Sequence, residues 1–209
     1  MGLPRFLLHQ LSCPSGWFAP VTAKLLTRSN RAFNHEAMSV LALQPHEHVL
    51  EIGFGSGMNL SHALEIVGES GRVGGIEPSS EMLASARKRH HNDIANGVMA
   101  LREGRADALP FAEASYDAVL SVHTIYFWGD PEPGLAEITR VLKPGGRLCL
   151  GMDDPEVGKR IGLDKFFRMY TQEEAVQLLQ QAGFTGVKAR RSRSQEHCYH
   201  IWAQKPEAN

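Results

Sequence analysis

The residues best suited to chemistry begin at Gly53-Phe54-Gly55-Ser56-Gly57, three glycines at alternate positions. They follow the apolar run Val49-Leu50-Glu51-Ile52 and precede Leu60, Ala63, Leu64 and Val67, which recur at helical spacing. Glycine lets the backbone approach a ligand closely, and the amides of a helix's first turn point at whatever sits there. A nucleotide-like ligand is the expectation. Glu77 ends the next apolar run about 20 residues later, where a carboxylate can accept hydrogen bonds from both ribose hydroxyls. A dinucleotide fingerprint wants a further glycine at the position held by Met58, so the GxGxG spacing departs from a nicotinamide site.

The elements that position these residues alternate short apolar runs with helical patterns, the sequence form of a doubly wound α/β sheet covered on both faces. Arg72 to Glu77 reads as a second strand, followed by a helix from near Ser79 with Arg87, Lys88 and Arg89 in its last turn. A third strand is expected at Val98 to Arg102, and a fourth, apolar on both faces, at Tyr116 to Val122. Asp130-Pro131 caps a helix to about Leu142. Lys143-Pro144-Gly145-Gly146 is expected to turn into a fifth strand, Arg147 to Met152. Thr171 and Glu174 form a capping-box pair, and Gly183 closes the helix they open. Thr185 to Ala189 and Cys198 to Ala203 are joined by too few residues for a crossover, so they should pair antiparallel. Residues 1–47 fit no strand. They are expected to form a helical cap within the same domain, with Ala23 to Leu43 lying across the sheet's carboxyl edge, and 48–209 to be the ligand-binding part.

The chain resembles class I S-adenosylmethionine-dependent methyltransferases, in the small-molecule branch that includes ubiquinone and menaquinone biosynthesis enzymes. The likeness spans roughly residues 33–204. It is carried by Val49 to Gly57, by Gly75-Ile76-Glu77-Pro78-Ser79 with Met82-Leu83, and by Gly104 to Phe111. Tyr116-Asp117-Ala118-Val119 and Leu142 to Leu148 complete the set. The resemblance implies a mostly parallel seven-stranded sheet with an antiparallel last strand, S-adenosylmethionine as cofactor and methyl transfer to a small-molecule acceptor. It implies that Gly53 and Gly55 line the methionine part of the cofactor, with Gly57 in the same turn, and that Glu51 approaches its amino group. Glu77, with Pro78 beside it, holds the ribose. Asp107 accepts from the adenine amino group, with Ala108 adjacent, and His123 faces the methyl-donor region.

Methyl transfer depends chiefly on in-line positioning and exclusion of water; a strong general base is needed for a hydroxyl acceptor but hardly for a thiolate or neutral amine. His123 is the imidazole whose expected place permits that role, with cofactor contact, substrate contact and packing as its other readings. Tyr126, Phe127 and Trp128 offer aromatic faces to a sulfonium or a flat acceptor. Phe33 and Asn34 in the cap, with Asp153 and Asp154 after the fifth strand, are the next candidates for acceptor contact.

The balance of the chain narrows the partners. Its 209 residues carry 22 basic and 23 acidic side chains, a formal charge of −1, so no global field recruits nucleic acid. No apolar run is long enough to span a membrane. Three scattered cysteines, Cys13, Cys149 and Cys198, suit a reducing cytoplasm better than a disulfide framework. His9 and Gln10 interrupt the run Phe6-Leu7-Leu8 too early for a signal peptide. His46 and His48 lie in a turn without an evident third ligand, so no metal is expected. Arg190, Arg191 and Arg193 read as a solvated hairpin tip. Two other functions keep the same fold: a binding module without catalysis, and a nicotinamide-dependent oxidoreductase, which would have no need of Asp107.

Overall fold

Successive strand residues point to opposite faces of a sheet, and the apolar residues here divide accordingly. Val49, Ala118, Leu120 and Cys149 fall in one buried cluster. Leu50, Ile52, Val119, Leu148 and Leu150 fall in the other. Both faces are therefore packed. The structure, a computed structural model, describes residues 19–208, with side chains from Asn30 onward. Cys13 and the run Phe6-Leu7-Leu8 lie outside the described residues.

The chain runs α1 (Ala19–Leu41), β1 (His48–Ile52), α2 (Met58–Val67), β2 (Arg72–Glu77), α3 (Ser80–Arg89), the short α4 (His91–Ala95) and β3 (Met99–Glu103). It continues through β4 (Tyr116–Val122), α5 (Pro131–Val141), β5 (Leu142–Asp153), α6 (Pro155–Ile161), α7 (Gln172–Gln181), β6 (Thr185–Arg191) and β7 (Cys198–Gln204). The seven strands are ordered β3-β2-β1-β4-β5-β7-β6. β7 runs antiparallel to both of its neighbours, as expected for the hairpin, while the remaining pairings are parallel. The order reverses between β1 and β4, which places a crevice outside their carboxyl ends.

The caps read from sequence are in place. Asp130 accepts the Glu132 N–H at 3.0 Å with Pro131 in the first turn of α5. Thr171 and Glu174 make the reciprocal capping box of α7. Several boundaries differ. β6 runs to Arg191 rather than Ala189, so Arg190 and Arg191, expected at the hairpin tip, lie in the strand and pair with His200 and Tyr199. β3 lies one residue later than expected. β5 begins at Leu142, because Leu142 pairs with Tyr116 before a register shift brings Arg147 opposite Ala118. Gly145, at φ +72°, supplies the bend within that strand instead of a separate turn.

The amino-terminal helix also differs from expectation. It is a single helix, one of the two forms expected, but from Phe33 to Leu41 it packs on a face of the sheet rather than across the carboxyl edge. Ala37, Met38 and Leu41 form one apolar stripe packed into the cluster of Val49 and Leu120. Arg147 Nε donates to Leu41 O at 2.8 Å and anchors the far end. Gly151 allows the close approach, since a Cβ there would stand 2.8 Å from the Phe33 ring. Among the residues of α1 with described side chains, Asn30 and Asn34 line the crevice at the carboxyl end of the sheet.

Candidate active site

The crevice opens at the carboxyl ends of β1, β2 and β4 and encloses about 1180 Å³ including its open mouth.

Its floor is the glycine turn. Gly53, Gly55 and Gly57 have φ of +71°, +50° and +72°, a region that side chains with a Cβ rarely occupy. A Cβ on Gly53 would meet Thr124 Cγ2 at 2.5 Å, whereas one on Gly55 would meet no protein atom within 4 Å and would stand in the crevice. Gly53 and Gly55 line the crevice, but Gly57 lies behind it as the amino-terminal cap of α2.

Two carboxylates flank that turn. Glu77 is buried, accepting the Gly55 N–H at 2.8 Å on one oxygen and the Ser79 N–H at 3.0 Å on the other. Burial pushes its pKa up against the pull of those two hydrogen bonds. Glu51 is also buried, and Asn59 Nδ2 donates to its Oε1 at 2.8 Å. Its Oε2 is buried with no partner. Burial raises the Glu51 pKa to about 8, opposed by Asn59 and reinforced by the nearby charge of Glu77.

Pro78 and Asp107 complete that side, Asp107 within 3.4 Å of Arg105 Nε on a largely exposed pair. Ala108 points to solvent and does not line the crevice; the buried Ala106 does. On the opposite side stand Asn34, His123, Thr124, Phe127 and Trp128. Phe33, Tyr126 and Asp153 do not line the crevice but pack behind His123. The Phe33 ring lies 4.8 Å from the His123 ring and stacks at 4.2 Å on buried His200. Tyr126 Oη donates to Asp153 Oδ2 at 2.8 Å, and Asp153 Oδ2 lies 3.2 Å from His123 Nδ1. Asp154 is the cap of α6 and accepts from Tyr199 Oη at 2.6 Å, away from the crevice.

Asn30, Asn59, Met58 and Thr124 line the crevice without having been singled out for it. Asn59 carried a signal: it is a buried polar residue beside the apolar stripe of α2.

Residues 50–150 match the family model described as a methyltransferase domain. Over 197 residues the chain is 30% identical to 2-methyl-6-phytyl-1,4-hydroquinone methyltransferase 1, chloroplastic, of Oryza sativa subsp. japonica, covering 90% of this chain and 58% of that protein. It is 29% identical over 121 residues to the ubiquinone/menaquinone biosynthesis C-methyltransferase UbiE of Pseudoalteromonas translucida, covering 58% and 48%. A solved Thermotoga maritima structure, described as a SAM-dependent methyltransferase and possible histamine N-methyltransferase, matches with a TM-score of 0.68 at 28% identity, covering 90% and 97%. The chain carries an S-adenosylmethionine-dependent methyltransferase domain.

The chain spans about half the length of these two curated relatives. The part of the chain matched by the family model runs from β1 into β5 and holds the glycine turn, Glu51, Glu77, Asp107 and His123. Asn30 and Asn34 come from outside it. No helix among the described residues is long and apolar enough to cross a membrane.

Proposed function

We propose that the chain transfers the methyl group of S-adenosylmethionine to a small flat acceptor held between Asn34, His123, Phe127 and Trp128. The observation that carries this reading is the unpartnered, buried Oε2 of Glu51 beside a crevice that a Gly55 side chain would obstruct. A buried carboxylate oxygen without a partner costs free energy until a donor reaches it, and a ligand ammonium is the donor that restores its charge. Glu51 would hold the cofactor's amino group and Glu77 its ribose hydroxyls, with Asp107 at the adenine. Fixing both Glu77 oxygens on backbone N–H groups leaves their remaining lone pairs aimed without reorganisation. When bound, the cofactor supplies an electrophilic methyl group on a sulfonium.

The chain's own residues then position and dehydrate. Phe127 and Trp128 give the acceptor side apolar faces that exclude water and suit a planar ring. The two curated relatives are named for a hydroquinone and for ubiquinone/menaquinone biosynthesis, which supports an acceptor of that shape. Free, buried Cys149 and Cys198 suit a reducing compartment and support a cytosolic setting.

Titration calorimetry with S-adenosylhomocysteine and with NAD tests the reading. Micromolar or tighter binding of the first, with none of the second, is the expected result. Tight NAD binding without adenosylhomocysteine binding would overturn it.

A further inference from the structure

The hydrogen-bond directions around His123 fix which of its nitrogens carries the proton. Nδ1 stands 3.1 Å from Tyr126 Oη and 3.2 Å from Asp153 Oδ2. Tyr126 donates its only proton to that same Asp153 oxygen, so its phenol oxygen offers Nδ1 a lone pair and nothing else. Both neighbours of Nδ1 are acceptors. Nδ1 must therefore be the donor, and in the neutral ring Nε2 is a bare lone pair. That Nε2 is buried without a hydrogen-bond partner, on a ring that forms part of the crevice wall.

The surroundings hold this arrangement from every side. Cys198 Sγ lies 3.2 Å from the other oxygen of Asp153 and 3.0 Å from Gln195 Oε1, its single proton shared between the two acceptors. Burial raises the Asp153 pKa, but His123 beside it, with the hydrogen bonds from His123, Tyr126 and Cys198, outweighs burial and brings it to about 2. Burial and the Asp153 charge lift Tyr126 well above the usual phenol range, so it keeps its proton. His200, beyond the Phe33 ring, is pushed down to about 4 chiefly by burial and brings no positive charge near neutral pH. The His123 backbone sits at φ +55°, with its N–H on Gly151 O at 2.8 Å, an uncommon conformation that persists only where the fold over-determines it.

We propose that His123 is the general base of methyl transfer, that Asp153 and Tyr126 are its positioning residues, and that the acceptor is a hydroxyl compound rather than a thiolate or an amine. This rests on the methyltransferase reading above. The acceptor O–H bond breaks and its proton passes to His123 Nε2. The oxygen's pair forms the bond to the donor methyl carbon, and the pair of the broken carbon–sulfur bond stays on sulfur. The imidazolium formed shares its Nδ1 proton with the Asp153 carboxylate. A thiolate or neutral amine already has its nucleophilic pair and has no use for such a base.

Nitrogen NMR of histidine-labelled protein saturated with S-adenosylhomocysteine reads the tautomer without any acceptor, the His123 signal being assigned by its loss in His123→Gln. The expected wild-type ring is protonated on Nδ1 alone. In Asp153→Asn the amide can turn an N–H toward Nδ1, so the proton moves to Nε2; Tyr126→Phe keeps the wild-type tautomer. With catechol, hydroquinone and 4-hydroxybenzoate set against thiophenol and benzylamine, adenosylhomocysteine release with a methyl ether as product is expected from hydroxyl compounds, and a ring-carbon-methylated product overturns the proposal. Release should fall about 100-fold or more in His123→Gln and Asp153→Asn, the lower end for loss of a general base. Adenosylhomocysteine affinity in Asp153→Asn should stay near wild type and show that the site is intact. A wild-type ring protonated on Nε2 overturns the proposal, as does full turnover by His123→Gln. So does release from thiophenol or benzylamine alone, or from no hydroxyl compound. Failure of the wild-type chain to bind adenosylhomocysteine overturns the methyltransferase reading instead, whatever the tautomer.

Discussion

Glu36 Oε1 accepts the Ser194 backbone N–H at 2.8 Å and so ties the middle of α1 to the tip of the β6–β7 hairpin. Its other oxygen accepts from Arg193 N at 3.0 Å and Ser192 Oγ at 3.1 Å. Burial raises the Glu36 pKa, but these hydrogen bonds outweigh it and bring it from 4.5 to about 2. A carboxylate with a depressed folded pKa contributes stability that is present above about pH 4.5 and is lost as pH falls toward 2. Glu36→Ala should cost about 1.5–3 kcal/mol near neutrality. Its urea midpoint should also change less than wild type's between pH 5 and pH 3.

Glu51 has the opposite sign. Its folded pKa of about 8 lies above the ordinary 4.5, so the ligand-free protein holds this proton more tightly than the unfolded chain does. That contribution is complete below about pH 4.5 and declines as pH rises to about 8. Glu51→Gln should therefore flatten the fall in melting temperature of the ligand-free protein across that range. Cofactor binding at pH 7 should release close to one proton from the wild type and none from the variant. Calorimetry in buffers of different ionisation heat measures this directly.

Removing the Glu77 carboxylate leaves the Gly55 and Ser79 N–H groups without their acceptor and takes away the proposed ribose contacts. Charge-assisted hydrogen bonds contribute roughly 1.5–3 kcal/mol each. Glu77→Ala should weaken adenosylhomocysteine binding by at least 10-fold. An unchanged dissociation constant would remove Glu77 from the cofactor site.

At Gly53 the obstacle is steric. An added methyl group meets Thr124 Cγ2 at 2.5 Å and adopts φ +71°. Gly53→Ala should lose about 1–3 kcal/mol of stability by thermal melting. Gly68→Ala, at φ +71° with nothing within 4 Å of the new Cβ, carries the backbone cost alone and should lose less.

Strands that pack on both faces were legible because burial leaves them nearly uninterrupted in apolar residues. β2 and β4 begin and end where the sequence places them. The start of β5 was not, because Pro144-Gly145-Gly146 has the local chemistry of a turn. What holds it in the sheet is tertiary: the Leu142–Tyr116 pairing and the Gly145 N–H on Lys205 O at 3.1 Å.

The candidate site divides the same way. Glu77 is legible because a carboxylate at the end of an apolar strand is conspicuous, whereas Glu51, one residue inside β1, is reached only through the family resemblance. Asp153 has the same appearance as Glu77, yet β7 brings Cys198 opposite it, and Tyr126 and His123 claim its other oxygen, so it stands behind the crevice wall. No local spacing encodes that. Asn34 reaches the crevice only because α1 runs along the sheet, a path set by Gly151 and the stripe from Ala37 to Leu41.

That path gives α1 two separable jobs. Its carboxyl-terminal turns, with Ala37, Met38 and Leu41, carry the packing, and the turn at its midpoint supplies Asn30 and Asn34 to the crevice. Exchanges at those two positions leave the anchoring turns untouched, so selection can retune what enters the mouth while the half that holds the nucleoside stays as it is.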